Sequence, residues 1–117
     1  MLIFLDDLRS PDYMNMKEFE GLEHYPISVV RSAKEAIELI GTGNVKGISF
    51  DHDLGTKLTG YDVAKAVEYL VAQGKIRCPL WDVHSANVVG AKRIRQAMIS
   101  AEQMDLDNEE LELLMRD

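Results

Sequence analysis

The residues of this chain best suited to chemistry are acids and imidazoles that follow short apolar runs. Asp6 and Asp7 close Leu2-Ile3-Phe4-Leu5, Asp51, His52 and Asp53 close Val45 to Phe50, and His84, Ser85 and Asn87 follow Leu80 to Val83. Carboxylates are hard oxygen donors, so Asp6, Asp7 and Asp51 drawn together make a cradle for a divalent cation, Mg²⁺ or Mn²⁺. Without a cation they repel one another. An imidazole beside carboxylates titrates near neutral pH and serves as general acid, general base or ligand for a softer metal, which makes His52, His84 and Asp53 candidates for moving protons. Where the chain is extended, Asp51 and Asp53 share one side and His52 points to the other.

A phosphate-bearing ligand is the natural partner of such a cluster. Ser85 and Asn87 precede a helix, where hydroxyl, amide and free backbone N–H groups hold phosphate oxygens. Arg9 and Arg31 follow the first and second apolar runs, and their paired N–H donors suit phosphate as well. Each residue also has an ordinary role: Asp opens turns, Asn caps helices and Arg covers surface. Their recurrence at the ends of successive apolar runs is what sets them apart.

The elements that must position these residues are legible in outline. Leu2 to Leu5 has the uninterrupted apolar character of a buried strand, Ile27 to Val30, after Pro26, is β-rich, and Val45 to Phe50 makes a third strand. Leu80 to Val83, after Pro79, is a fourth strand. Ser32 with Glu35 is a capping box opening a helix that reaches Ile40 and stops at Gly41 to Asn44. Val63, Ala64, Val67, Leu70 and Val71 recur at helical spacing until Gly74, and Ile94, Ala97, Met98 and Ala101 mark a further helix. Arg9 to Pro26, broken by Pro11 and Gly21, holds at most a short helix. Asp107 with Glu110 reads as a separate cap for a short acidic helix at the end of the chain. Strands alternating with helices imply a parallel sheet that binds ligands beyond the carboxyl ends of its strands.

With acids after strands one and three and a serine after strand four, the pattern resembles the response-regulator receiver fold. That resemblance implies an α/β, flavodoxin-like three-layer sandwich with a mostly parallel sheet of about four strands. The usual fifth strand is lacking, and no lysine follows Lys92. Residues 1–104 would form the receiver-like domain and residues 105–117 an acidic helical tail. The segments Leu5-Asp6-Asp7-Leu8-Arg9, Asp51-His52-Asp53-Leu54-Gly55, Thr59-Gly60-Tyr61-Asp62 and His84-Ser85-Ala86-Asn87 are similar to those of the cyclic-phosphate processing receiver domain family. This closer resemblance implies processing of cyclic phosphates, of nucleotides or RNA ends, by a metal-dependent phosphoesterase. The metal would sit on Asp6, Asp7 and Asp51, the catalytic groups would be His52, His84 and Asp53, and the substrate would meet Arg9, Arg31, Ser85 and Asn87. Two alternatives stand beside it: a signalling module phosphorylated on Asp51, and a non-catalytic interaction domain whose tail helix meets a partner or a second copy.

Bulk properties constrain the partners. The 117 residues suit one domain with one core. No apolar run approaches a membrane span, and Met1 to Leu5 runs at once into acids, so neither a signal peptide nor a membrane partner is expected and the location expected is cytoplasmic. The single cysteine, Cys78, reads as structural. The net charge of -7 is concentrated in Glu102 to Asp117, whose seven acids face one base and leave 13 acids against 12 bases elsewhere. The nearly neutral body admits a phosphate-bearing small molecule or an RNA end but offers no broad face for duplex nucleic acid.

Overall fold

A computed structural model describes residues 1–116. Four strands, β1 (Leu2–Leu5), β2 (Ile27–Val30), β3 (Gly47–Phe50) and β4 (Leu80–Val83), form one parallel sheet in the order β2-β1-β3-β4. Helices α1 (Ala33–Ile40), α2 (Gly60–Ala72) and α3 (Val88–Leu114) follow β2, β3 and β4. The expected receiver-like α/β architecture is present. β1 is buried at every position, with Ile3 and Leu5 on one face and Leu2 and Phe4 on the other, which is why its sequence is apolar throughout rather than alternating.

Strand order decides where the layers lie. The chain steps from β1 outward to β2, then crosses back past β1 to β3 and on to β4, and right-handed connections running in opposite directions cover opposite faces. Ile3, Leu5, Ile48 and Phe50 accordingly share one core with Ala36 and Ile40 of α1, Val63 and Val67 of α2, and Ile94 and Met98 of α3. The β1 to β2 connection covers the second face. Its regular structure is two 3-10 turns, Pro11–Tyr13 and Met16–Phe19, and Met14 and Phe19 pack there on Leu2 and Phe4. The third layer is therefore thin, in keeping with Pro11 and Gly21 in its sequence.

Local capping matches the sequence closely at α1, where Ser32 accepts from the N–H of Glu35. At α2 the Asp62 carboxylate accepts from both the backbone N–H and the hydroxyl of Thr59, at 2.7 and 3.2 Å, so this pair sets the start of the helix. The end of the chain differs from expectation. Asp107 caps nothing, because α3 runs without a break from Val88 to Leu114, and the good helix formers of Ala101 to Met104 offer no stop signal. The boundary between residues 104 and 105 thus falls inside a helix, and Asp117 lies outside the described residues. Arg77 ties the outer part of α3 to the body through Asp105 and Glu109, while Leu106, Leu111, Leu113 and Leu114 remain exposed. Burial pushes the Cys78 thiol up to about 12, which suits a structural cysteine. No helix among the described residues is long and apolar enough to cross a membrane.

Candidate metal centre

The reversal of strand order lies between β1 and β3, and ligands of open α/β sheets bind beyond the strand ends at such a reversal. The ladder continues one residue past the strands there. The N–H of Asp6 donates to Val30 O, that of Asp51 to Leu5 O and that of His84 to Phe50 O. Leu5, Phe50 and Val83 are register partners, so Asp6, Asp51 and His84 form the next row across the sheet. Side chains alternate along a strand, so this row projects on the same face as Phe4 and Ser49, opposite the helices.

One ligand atom from each of Asp6, Asp51 and His84 lies within 4.8 Å of the others. Both carboxylates are buried. At a separation of about 5 Å two like charges repel by roughly 3 kcal/mol at an effective dielectric of 20, which a shared cation would reverse. Partners at Asp6 offset part of this cost. Its Oδ1 accepts from the N–H groups of Leu8 and Arg9 at 2.9 and 2.8 Å, and its Oδ2 lies 3.0 Å from His84 Nε2 and 4.0 Å from Arg9 Nε. Burial pushes the Asp6 carboxyl up, but the two backbone donors and His84 outweigh it and hold the group below its ordinary value. Asp51 has less support: Oδ1 accepts from the N–H of His52, and no other hydrogen bond reaches its carboxylate among the described residues. Two buried carboxylates beside one imidazole nitrogen fit a divalent cation.

His84 is held on three sides. Its ring stacks on Phe4 at 4.6 Å between centroids and 9° between planes, and Nδ1 lies 2.7 Å from the hydroxyl of Ser49. Nε2 meets Asp6. The side chain is 7% exposed, so its surroundings suit a fixed ligand better than a proton shuttle open to water.

The second histidine is differently placed. The chain bends at His52, so the extended geometry expected for residues 51–53 does not hold, and His52 turns back to its own neighbour, with Nδ1 2.8 Å from Asp53 Oδ1. The Asp53 carboxyl lies below its ordinary value because of the bonds from His52 and from Asn87, whose amide lies 3.3 Å from both carboxylate oxygens. Asn87 also caps α3 by accepting from the N–H of Gly90. Gly90 itself leaves space for the ring: a Cβ there would lie 2.2 Å from Cγ of His52. His52 Nε2 makes no hydrogen bond among the described residues.

An open cleft of about 370 Å³ covers this strand-end surface, lined by Asp6, Asp7, Leu8, Arg9, Asp51, Asp53, Gly55, Ser85 and Ala86. Asp7 lies in the cleft wall near Gly55, whose φ of +68° is the left-handed conformation that favours glycine, but it is not in the close group of ligand atoms. Ser85 is in the wall and accepts from the N–H of Asn87. The two arginines separate. Arg9 lines the cleft and donates to His84 O, whereas Arg31 is outside the lining and donates to the carbonyls of Asp6 and Arg9, bracing the loop that carries them. Ser49 and Gly90 do not stand out in the sequence, and Gly60 does so only within Thr59-Gly60-Tyr61-Asp62, not for its contact with Asp51. A hydroxyl in the buried strand Gly47-Ile48-Ser49-Phe50, two residues before Asp51 and so on its face, was the available signal for the first. The two glycines answer to tertiary proximity, which spacing does not encode.

The family model of the cyclic-phosphate processing receiver domain matches residues 1–100 of the chain. The chain belongs to that family. Neither the curated proteins nor the solved structures gave a match. The matched segment contains every residue of the cleft and ends within α3, before its exposed leucines.

Proposed function

We propose that this domain is a metal-dependent phosphoesterase that opens cyclic phosphates carried by nucleotides or RNA ends. The observation that supports it most is charge: four carboxylates and a single arginine line the cleft, and the two deepest carboxylates converge with His84. An anionic phosphate would be repelled from that surface unless a cation intervened. Asp6, Asp51 and His84 would hold the cation, with Asp7 in reach of its water shell, and the nitrogen donor favours Mn²⁺ over Mg²⁺. The metal, when bound, would neutralise phosphate oxygens and polarise the phosphorus centre.

The remaining chemistry falls to the chain's own groups. Arg9 steadies the phosphate with a guanidinium already oriented by His84 O, and Ser85, which also lines the cleft, meets a second phosphate oxygen. Asp53 accepts the Nδ1 proton of His52, which leaves the Nε2 lone pair to take a proton from the attacking water. A new phosphorus–oxygen bond forms to that water, one ring ester bond breaks, and the proton passes to the departing alkoxide. The product is a phosphate monoester. Arg31 acts through Arg9 by bracing its loop, and Asn87 acts through Asp53.

Incubation with 2',3'-cyclic nucleotides and cyclic-ended RNA, with and without Mg²⁺ or Mn²⁺, tests the proposal. Metal-stimulated release of a monoester is expected, and no turnover across the panel would contradict it. Phosphorylation of Asp51 is the competing reading, and the cleft speaks against it because no lysine is among its lining residues. Acetyl phosphate with Mg²⁺ should then leave the intact mass unchanged.

A further inference from the structure

Ser49 is fully buried on β3, and its hydroxyl makes one side-chain hydrogen bond, to His84 Nδ1 at 2.7 Å. The opposite ring nitrogen, Nε2, lies 3.0 Å from Asp6 Oδ2. An ionised carboxylate only accepts, so in the neutral ring Nε2 carries the proton and Nδ1 accepts from the Ser49 hydroxyl. To present a lone pair to a cation beside Asp6 and Asp51, the ring must instead carry its proton on Nδ1. That proton then points at Ser49 in a pocket closed by Phe4. Of the ring's two hydrogen-bond partners among the described residues, Ser49 and Asp6, Ser49 can serve both states, since a hydroxyl donates or accepts by rotating about its C–O bond.

We propose that Ser49 is a positioning residue for the metal centre, one that lets the neutral His84 ring exchange tautomers as a cation enters. The ring's charge is the same in both states, so the exchange needs no change of pH. Phe4 fixes the ring plane by stacking, and Ser49 fixes the rotation within that plane. An alanine at position 49 leaves the metal-free tautomer its bond to Asp6 but strands a buried N–H in the metal-bound one. Losses of this kind at the outer partner of a metal-bound histidine cost about 10- to 100-fold in affinity. The inference rests on the proposed metal site but not on the substrate.

The test is a titration with Mn²⁺ and, separately, with diamagnetic Zn²⁺ while the ring nitrogens of ¹⁵N-labelled His84 are followed by NMR. In the wild-type protein the His84 proton should move from Nε2 to Nδ1 on Zn²⁺ addition. S49A should bind Mn²⁺ about 10- to 100-fold more weakly, and S49T, which keeps the hydroxyl, should restore most of the affinity. A ring that keeps its proton on Nε2 with Zn²⁺ bound overturns the proposal without any variant, as does a folded S49A that binds Mn²⁺ like the wild type. Failure of the wild-type protein to bind either cation removes the metal site itself and the proposal with it, an outcome distinct from the other two.

Discussion

His84 Nε2 stands 3.0 Å from Oδ2 of Asp6, while the other oxygen of the same carboxylate gathers the N–H groups of Leu8 and Arg9. One buried acid thus ties the end of β1 to the end of β4 across β3 and folds the loop that carries Arg9. The candidate metal site and the fold share this residue.

Asp6→Ala should therefore weaken the protein by on the order of 3 kcal/mol at neutral pH, because it leaves two part-buried backbone donors and His84 without their acceptor. Asp6 ionises more readily in the folded chain than in the unfolded one, so its contribution is complete above the ordinary value of 3.8 and is lost as pH falls through the lower native value. Thermal melts of wild type and variant should differ most above pH 3.8 and draw together below it. A gap that widens in acid would reverse the assignment.

The two buried glycines should respond differently to alanine. A Cβ at Gly60 would lie 1.8 Å from the backbone oxygen of Asp51, a residue whose N–H is tied to Leu5 O. At Gly90 the obstacle is the His52 side chain, which can rotate away. Gly60→Ala should cost about 3 kcal/mol or more in urea unfolding, while Gly90→Ala should cost about 1 kcal/mol and chiefly displace His52 from Asp53. Equal losses would mean that the end of β3 yields as readily as a side chain.

The two histidines should separate by function. His52→Ala should reduce turnover by about 10²- to 10⁴-fold while Mn²⁺ affinity stays near wild type. His84→Ala should lose Mn²⁺ binding, and the activity with it. The paired measurements are a calorimetric titration and a rate with a cyclic nucleotide. Loss of metal binding in His52→Ala would place that ring in the wrong role.

The sheet was legible because its strands are short, apolar or β-rich segments closed by polar residues, and the helices because their apolar residues recur at helical spacing. The site was legible in composition for the same reason: acids at the ends of parallel strands fall on one edge. Its internal order was less so. Asp6 and Asp7 look equivalent in sequence, yet only Asp6 continues the ladder onto the face that carries Asp51 and His84. Arg9 and Arg31 also look equivalent, and the distinction between them depends on loop carbonyls that no spacing reveals. Extended geometry predicts one direction for His52, and a bend at that residue gives it another. The separate tail helix failed for a different reason: a capping pattern is only a local preference, and uninterrupted helix formers ahead of Asp107 prevail over it.

The central claim is that Asp6, Asp51 and His84 hold a divalent cation, and a titration of wild type and Asp51→Asn with Mn²⁺ tests it most directly. The asparagine side-chain oxygen can still accept from the N–H of His52, so the variant should fold like the wild type. The account predicts one Mn²⁺ bound per wild-type chain and at least about a tenfold loss of affinity in the variant. Equal binding by both proteins, or none by the wild type, would contradict it.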